Sequence, residues 1–530
     1  MTAPVTPTGL TFGTAGLRAP VGPGPDQMNV PAVTRTSAGV AAWLTGRGIA
    51  NPAVAVGYDS RYGSHSMARA AAETFAGAGC RVTLIARPAP TPTLARLVRD
   101  RGFDAGVQIT ASHNPKGDNG YKLYLAGGSQ LVSPADREIE NLIAAQPEAP
   151  LVHRSPDVHL DLGAYDGYVG AVASLVTSGD GHVLASRRAL RVLYTPLHGV
   201  GGTALEQAFR EAGFNEPTSV AAQRWPDPEF PTVEFPNPEE PGTCDLLLRQ
   251  ASHAAPGEHP DLLIALDPDA DRCMVGVPDP AAPHGYRMLR GDETGPLLAR
   301  RVVGTGTPAS GAPAPVVATT VVSSSLLGRI AAAEGWDYRE TLTGFKNLAR
   351  AADDAPGELA YAYEEAIGTC PAPQVVADKD GIATALVTAA WAAELKAQGR
   401  TLRDELADLD DRYGVVRTAQ VAVRFPSTAA ASSLVAQWAA EPPTDLFNGA
   451  EATVTPLDES ADAAEASLDE GFRLRWSGAG LSHRVVVRPS GTEPKAKFYL
   501  QVSAEAGDAA AETVETALAD LADTVRRLTA

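Results

Sequence analysis

An alternation of short apolar strands with helices starts three times along this chain and then stops. That pattern constrains the fold more than any single motif. The first run reads AVAVGYDS (53–60) as a strand ending in a polar turn and SMARAAAETFAGAG (66–79) as a helix with a glycine stop. CRVTLIA, TPTLARLVRDRG and DAGVQIT follow as strand, helix and strand. Strands separated by helices pair in parallel through crossovers, so the rhythm predicts a layered α/β domain. It restarts at LRVLYTPLHGVGG (190–202), where a glycine-rich turn precedes the helix TALEQAFREAG, and continues through DLLIALDPDADRCMVGV (261–277). The third run comprises PVVATTVVSS, SLLGRIAAAEGW, ELAYAYEEAIG and the helix GIATALVTAAWAAELKAQG. From about 418 the texture changes to short alternating strands (AQVAVRF, ATVTPL, FRLRWSG, HRVVVRPS, AKFYLQVSA), and the helix AAAETVETALADLADTVRRL closes the chain. That last part reads as α+β with an antiparallel sheet.

The expected division is three α/β domains with mixed sheets, 1–185, 186–300 and 301–415, followed by an α+β domain, 416–530. GTGTPASGAPAP (304–315) reads as a linker or long surface loop, and the acidic cluster from Glu451 to Glu470 as a solvated segment. A chain of 530 residues exceeds one core, and a 44% hydrophobic fraction supplies several. No uninterrupted apolar run reaches the roughly 18 residues of a membrane span. The start, MTAPVTPTGLTFGTAG, lacks the basic and apolar regions of a signal peptide, so a cytoplasmic protein is expected. The four cysteines are scattered without metal-type spacing and read as reduced core residues. A net charge of −19 opposes nucleic acid and anionic membranes. An anionic ligand must then be met by a local cluster of basic groups and backbone amides.

Four polar loops carry the chemistry. TASHNPKGDNGYKLY (110–124) follows AGVQI, which reads as a buried strand, at the kind of strand end where α/β proteins bind ligands. Ser112 taken alone is more often a structural loop serine than a nucleophile. His113 beside it does not by itself supply an aligned base. A serine that stably carries a phosphoryl group has other needs: basic groups and a cation to hold the added charge. LDPDADRC supplies a cation site, because Asp267, Asp269 and Asp271 alternate in a turn between two strands that predict burial. Three unpaired carboxylates there would be costly. Arg272 and Pro278 stand where a calcium-binding EF-hand loop would need glycine and glutamate, whereas a hard octahedral Mg²⁺ with open positions fits. In YEEAIG (363–368), Glu364 and Glu365 put two carboxylates after an apolar strand. In RPSGTEPKAKFY (488–499), Arg488, Ser490, Thr492, Lys495 and the amides around Gly491 can form a concave phosphate cradle.

With these motifs in this order, the sequence resembles the α-D-phosphohexomutase superfamily, the phosphoglucomutase and phosphomannomutase enzymes. The resemblance runs from FGTAGLRAP (12–20) through TASHNP, DPDADR and EEAIG to RPSGTEPK, essentially the whole chain. It implies domains arranged around a central cleft, the last one a lid. It further implies that Ser112 carries a phosphoryl group, and that its phosphate binds Mg²⁺ together with Asp267, Asp269 and Asp271. Glu364 would accept hydrogen bonds from sugar hydroxyls. Arg488, Ser490, Gly491 and Thr492 would hold the non-reacting phosphate. Arg18 and Lys122 match basic residues near the phosphoserine, with Lys122 a candidate for proton transfer, and His113 and Arg272 fit the same neighbourhood.

The implied activity is that of an intramolecular phosphotransferase. Phosphate would move between the 1- and 6-positions of glucose through a phosphoserine enzyme and a sugar 1,6-bisphosphate, which also serves as activator. Phosphomannomutase and phosphopentomutase are the alternatives, and a non-catalytic sugar-phosphate sensor is the reading from a different class. TLTGFKNLAR, YEEAIG and DKDG resemble the branch that includes phosphoglucomutase and phosphopentomutase activities, with Lys346 a candidate for contact with substrate phosphate. No histidine follows the sugar loop, where some members have one. The expected partner is a small phosphosugar, and the expected assembly is a monomer or homodimer.

Overall fold

A computed structural model describes residues 10, 12–13, 16–176, 181–304, 312–447, 449–457, 471–489, 494–507 and 510–529. The chain forms two compact units. One comprises Met1–Thr294, Gly344–Arg350 and Ala360–Leu402; the other comprises Gly295–Thr343, Ala351–Leu359 and Arg403–Ala530.

The first unit holds two mixed sheets built on one plan. In the six-stranded sheet, Arg81–Ile85, Ala53–Tyr58 and Ala105–Ile109 lie side by side in parallel. Every residue of Ala53–Tyr58 is buried, which is why it reads as an unbroken apolar run and not an alternating one. The helices Val30–Gly46, Ser64–Gly77 and Thr91–Asp100 accompany these strands; Asn29 caps the first by accepting from the Ala32 N–H. The five-stranded sheet sets Val192–Thr195 parallel to both Thr218–Ser219 and Leu262–Leu266.

Both sheets are mixed, as expected, because the parallel part of each ends in an antiparallel return. Ala105–Ile109 turns back into the antiparallel strand Asp118–Leu125, and Leu262–Leu266 turns back into Cys273–Pro278. Leu359–Glu364 repeats the device, returning as Gly368–Cys370. Three of the four polar loops occupy these hairpin turns. Lys122 accordingly lies on a strand, opposite Gln108, and not in the loop that the polarity of its segment suggests.

In the second unit, Val316–Thr320 and Asp337–Thr341 pair in parallel around the helix Leu326–Glu334, which stops at Gly335 in the left-handed region (φ 75°). A five-stranded antiparallel sheet follows, ordered Val416–Arg424, Lys495–Ser503, Leu481–Pro489, Phe472–Gly478, Thr453–Pro456. Alternation decides its faces. Phe472, Leu474, Trp476, Val485, Val487, Phe498 and Leu500 form a core with Val435 and Trp438 of Thr428–Ala440 and Val514 and Val525 of Ala511–Thr529. The intervening positions carry Arg473, Arg484, Arg488, Lys495 and Lys497. All four cysteines are buried and unpaired, as the sequence suggests. No helix among the described residues is long and apolar enough to cross a membrane.

Candidate active site

The turn after Ala105–Ile109 and the turn after Leu262–Leu266 meet inside the first unit. Ser112, 1% exposed and held at φ 51°, donates its hydroxyl hydrogen to Asp267 Oδ2 at 2.8 Å, across 155 residues of sequence. A hydrogen bond from the Ser112 N–H to Thr110 Oγ1 (2.9 Å) fixes this left-handed turn. Asp267, Asp269 and Asp271 are completely buried, and one oxygen from each lies within 4.8 Å of the others. The Asp267 carbonyl accepts from the Ala270 N–H in a tight turn with Ala270 at φ 54°. The glycine-rich turn packs against it. A Cβ on Gly199 would stand 2.4 Å from Pro268 Cα, and the Val200 N–H donates to the Pro268 carbonyl.

Cations discharge part of this acidity. Lys122, almost fully buried, donates to Asp269 Oδ2 and Asp271 Oδ2, each at 2.7 Å. Lys379 Nζ lies 3.4 Å from Asp271 Oδ2, and Thr91 donates to Asp269 at 2.6 Å. Burial, the largest influence, raises the pKa values of Asp269 and Asp271, and the Asp269 charge raises Asp271 further. Lys122 with the Thr91 and Asp267 hydrogen bonds at Asp269, and Lys122 with Lys379 and Arg272 at Asp271, together outweigh this and hold both below the usual carboxylate range. Asp267 has no such partner. Among the described residues its oxygens accept from Ser112 Oγ and the Arg272 N–H (3.0 Å). Burial and the two neighbouring charges push its pKa well above the usual range. Burial likewise lowers Lys122, yet Asp269 and Asp271 win and keep it an ammonium.

This donor set fits a hard divalent cation. Asp269 Oδ1 and Asp271 Oδ1 are buried and accept no hydrogen bond among the described residues, although Arg272 Nε lies 3.7 Å from the latter. Three converging carboxylates with spare oxygen lone pairs are what Mg²⁺ or Mn²⁺ selects.

The Glu364 turn adjoins the aspartates. Arg272 Nη2 is 3.0 Å from Glu364 Oε1 and the Arg272 guanidinium also donates to the Ala366 carbonyl. Burial raises the Glu364 pKa more than Arg272 lowers it. Glu365 is half-buried in the same turn. Arg18, paired on its edge strand with Gly120, donates to Asn114 Oδ1 of the Ser112 loop at 2.9 Å. Burial, with the charges of Arg272 and Arg18, keeps the His113 imidazole neutral. Lys346 follows Phe345, whose ring centre lies 5.2 Å from Lys379 Nζ.

Arg488 and Lys495 belong to the second unit, at the two ends of the loop joining antiparallel strands; Arg488 donates to Thr343 Oγ1. Ser490, Gly491 and Thr492 lie outside the described residues.

Several residues of the site escape a reading of the sequence. Arg61 donates to the Ser112 and Asn114 carbonyls, 2.6 Å each, with Asp59 3.5 Å from its Nε. In DKDG, Asp378 accepts from Tyr124 and Gln130, while Asp380 accepts from Tyr168 and caps the helix Gly381–Ala397. The signal available was the acid following a strand or preceding a helix, which is too common to single these out.

Models of the phosphoglucomutase/phosphomannomutase alpha/beta/alpha domains I, II and III match residues 9–150, 166–280 and 290–413. A probable phosphomannomutase of Haemophilus influenzae is 36% identical over 482 residues, 89% of this chain and 92% of that protein. The chain belongs to the phosphoglucomutase/phosphomannomutase family. Its members are isomerases that act as intramolecular phosphotransferases, and so is this protein. Human phosphopentomutase is 30% identical, covering 97% of this chain and 88% of its own length. A phosphoglucomutase of Staphylococcus epidermidis is also 30% identical, over 96% and 94%. Similar relatives thus carry three different sugar names, so the family likeness fixes the reaction type and leaves the sugar open.

Proposed function

We propose that this mutase interconverts glucose 1-phosphate and glucose 6-phosphate through a phosphoryl group carried on Ser112 and a glucose 1,6-bisphosphate intermediate. The observation that carries the reading is the meeting of Ser112 Oγ with a buried triad of carboxylates whose charge is only partly matched by Lys122 and Lys379.

In this reading Asp267, Asp269 and Asp271 would hold Mg²⁺ together with a phosphoserine oxygen. The bound ion supplies charge neutralisation on the phosphoryl oxygens, the chief requirement of phosphoryl transfer. The chain does the rest. Phosphoserine hands its phosphoryl group to the free hydroxyl of the sugar phosphate, breaking the bond to Ser112 Oγ and forming one to the sugar oxygen. Lys122, an ammonium beside the aspartates, supplies the proton that Ser112 Oγ takes up as the phosphoryl group leaves, and the proton given up by the sugar hydroxyl restores the Lys122 ammonium. Arg18, His113 and Arg272 surround the transferred group. Glu364 accepts from sugar hydroxyls, with Glu365 and Lys346 next to it. Arg488, Ser490, Gly491, Thr492 and Lys495 grip the phosphate that does not react. After the bisphosphate turns over, the other phosphate is returned to Ser112. Burial of Ser112 limits access of water, which would otherwise discharge the enzyme.

The division at 185, 300 and 415 into four domains, the last a lid, is part of this proposal, as is action as a monomer or homodimer. A pentose is the second reading, favoured by the similarity to human phosphopentomutase. The test is a coupled assay with glucose, mannose and ribose 1-phosphates, with and without glucose 1,6-bisphosphate. Fastest turnover of glucose 1-phosphate, dependent on the bisphosphate and on Mg²⁺, is expected. A preference for ribose 1-phosphate would replace glucose by a pentose.

A further inference from the structure

Among the described residues, eight that are not glycine have positive φ, and six of them lie in loops of the first unit that surround the Ser112–aspartate cluster. They are Ser112 (51°), Leu197 (46°), His198 (58°), Phe230 (46°), Ala270 (54°) and Ile367 (49°). A bulky side chain such as phenylalanine rarely adopts this conformation, and strain that a structure holds in place points to function. Phe230 lies far from Ser112 in sequence and belongs to none of the four polar loops. What it touches explains why it is held.

The Phe230 ring centre lies 5.0 Å from the guanidinium carbon of Arg61. That guanidinium reaches the Ser112 loop from the interior. Nη2 donates to the carbonyls of Ser112 and Asn114 at 2.6 Å, and Nη1 to those of Pro115 and Asp118 at 2.8 and 3.2 Å. Four carbonyls of one short loop thus converge on a single cation whose side chain is 1% exposed. Asp59 orients it, 3.5 Å from Nε, and is itself fixed by the Arg61 N–H (2.9 Å) and the Ser64 hydroxyl (2.5 Å). A planar fork can serve four acceptors in this way; a lysine ammonium, a point charge with three donors, cannot.

Phe230 in turn is tied to the aspartate loop. Its N–H donates to the Asp227 carbonyl, and the Asp227 N–H donates to the His198 carbonyl. The His198 ring stands edge-on to the Phe230 ring at 6.5 Å. The residue after His198 is Gly199, which leaves no room for a Cβ against Pro268, between Asp267 and Asp269. A continuous chain of contacts therefore runs from the aspartate loop through Gly199, His198, Phe230 and Arg61 to the backbone of Ser112. Lys116 and Glu229, 2.8 Å apart, cross-link the same two segments at the surface.

We propose that Arg61 and Phe230 are positioning residues that fix Ser112 Oγ relative to the aspartate carboxylates. Their effect is that the phosphoryl group passes to sugar and not to water. The inference rests on the mutase reading above. A misplacement of about 1 Å at a reacting atom can cost on the order of 100-fold in rate.

Arg61→Lys and Phe230→Leu test it. For each, kcat, KM for the sugar phosphate, the ratio of inorganic phosphate released to sugar phosphate isomerised, and thermal stability are measured. The expected result is kcat per folded molecule lower by about 10- to 100-fold, with KM unchanged and a larger share of the phosphoryl group lost to water. A purely structural role would lower thermal stability and the yield of folded protein, and leave kcat per folded molecule and the phosphate ratio at the wild-type values; that result overturns the proposal. Should Arg61→Lys not fold, Phe230→Leu, which keeps an apolar side chain and removes the ring, decides alone. A wild-type protein that isomerises no sugar phosphate would overturn the mutase reading itself, and this is seen before either variant is measured.

Discussion

Asp267→Asn is expected to make the metal-free protein more stable while it abolishes activity. Asp267 is completely buried, with a carboxylate oxygen within 4.8 Å of oxygens of both Asp269 and Asp271. At an effective dielectric of about 20, each like-charge pair at that separation costs at least ~3.5 kcal/mol, or ~7 kcal/mol for the two. The protein relieves this repulsion by taking up a proton, which is why burial and the two charges push the Asp267 pKa well above the usual range. Protonating at pH 7 a carboxyl whose unfolded pKa is about 3.9 costs about 4 kcal/mol, and this caps the penalty. Asparagine has no charge to neutralise and keeps the hydrogen-bonding geometry. Its Oδ1 can accept from the Arg272 N–H and its Nδ2 can donate to Ser112 Oγ, in place of the bonds now 3.0 and 2.8 Å long. Arg272 and Lys379 offset part of the repulsion, so the expected gain is ~2–4 kcal/mol at pH 7. Because the folded pKa is raised, the penalty is present above the unfolded pKa and disappears as pH falls towards ~4. The advantage of asparagine should therefore shrink between pH 7 and pH 4. Thermal melts in EDTA across that range, repeated with Mg²⁺, measure both effects. Mg²⁺ should stabilise the wild type by linkage and the variant less. The reasoning fails if the variant is no more stable than wild type without metal and both gain equally from Mg²⁺.

Two further perturbations probe the same cluster. Lys122→Met leaves Asp269 and Asp271 without their shared cation, and should destabilise the metal-free protein by roughly 3–5 kcal/mol; melts with added Mg²⁺ should recover part of the loss while mutase activity stays low. Gly199→Ala places a methyl group 2.4 Å from Pro268 Cα and should cost about 1–3 kcal/mol; Mg²⁺ titration followed by thermal shift should show weakened binding, because the displaced backbone carries the aspartates.

The architecture was legible because its signals are local. Buried parallel strands such as Ala53–Tyr58 appear as unbroken apolar runs, and the C-terminal strands alternate because one face of their sheet meets the helices Thr428–Ala440 and Ala511–Thr529. The antiparallel returns were harder to read. Asp118–Leu125 begins with polar residues and carries Lys122, so it resembles a loop until its register against Ala105–Ile109 is known. Ser112 and the three aspartates stood out because each sits at the end of an apolar strand. Arg61 did not, because its partners are carbonyls of a distant loop and backbone acceptors leave no mark in a sequence. The burial of Asp378 and Asp380 was equally hidden, since their donors Tyr124, Gln130 and Tyr168 are remote along the chain.

The central claim is that Ser112 carries the phosphoryl group between sugar molecules. Peptide mass spectrometry of the protein after treatment with glucose 1,6-bisphosphate, and again after a chase with glucose 1-phosphate, tests it most directly. With the phosphoryl group delivered by the bisphosphate isotopically labelled, the account predicts the label on the Ser112 peptide before the chase and in the sugar phosphate after one turnover, with Ser112 phosphorylated again from the substrate. An unmodified Ser112 in an enzyme that isomerises sugar phosphates at full rate would contradict it, as would full activity in Ser112→Ala.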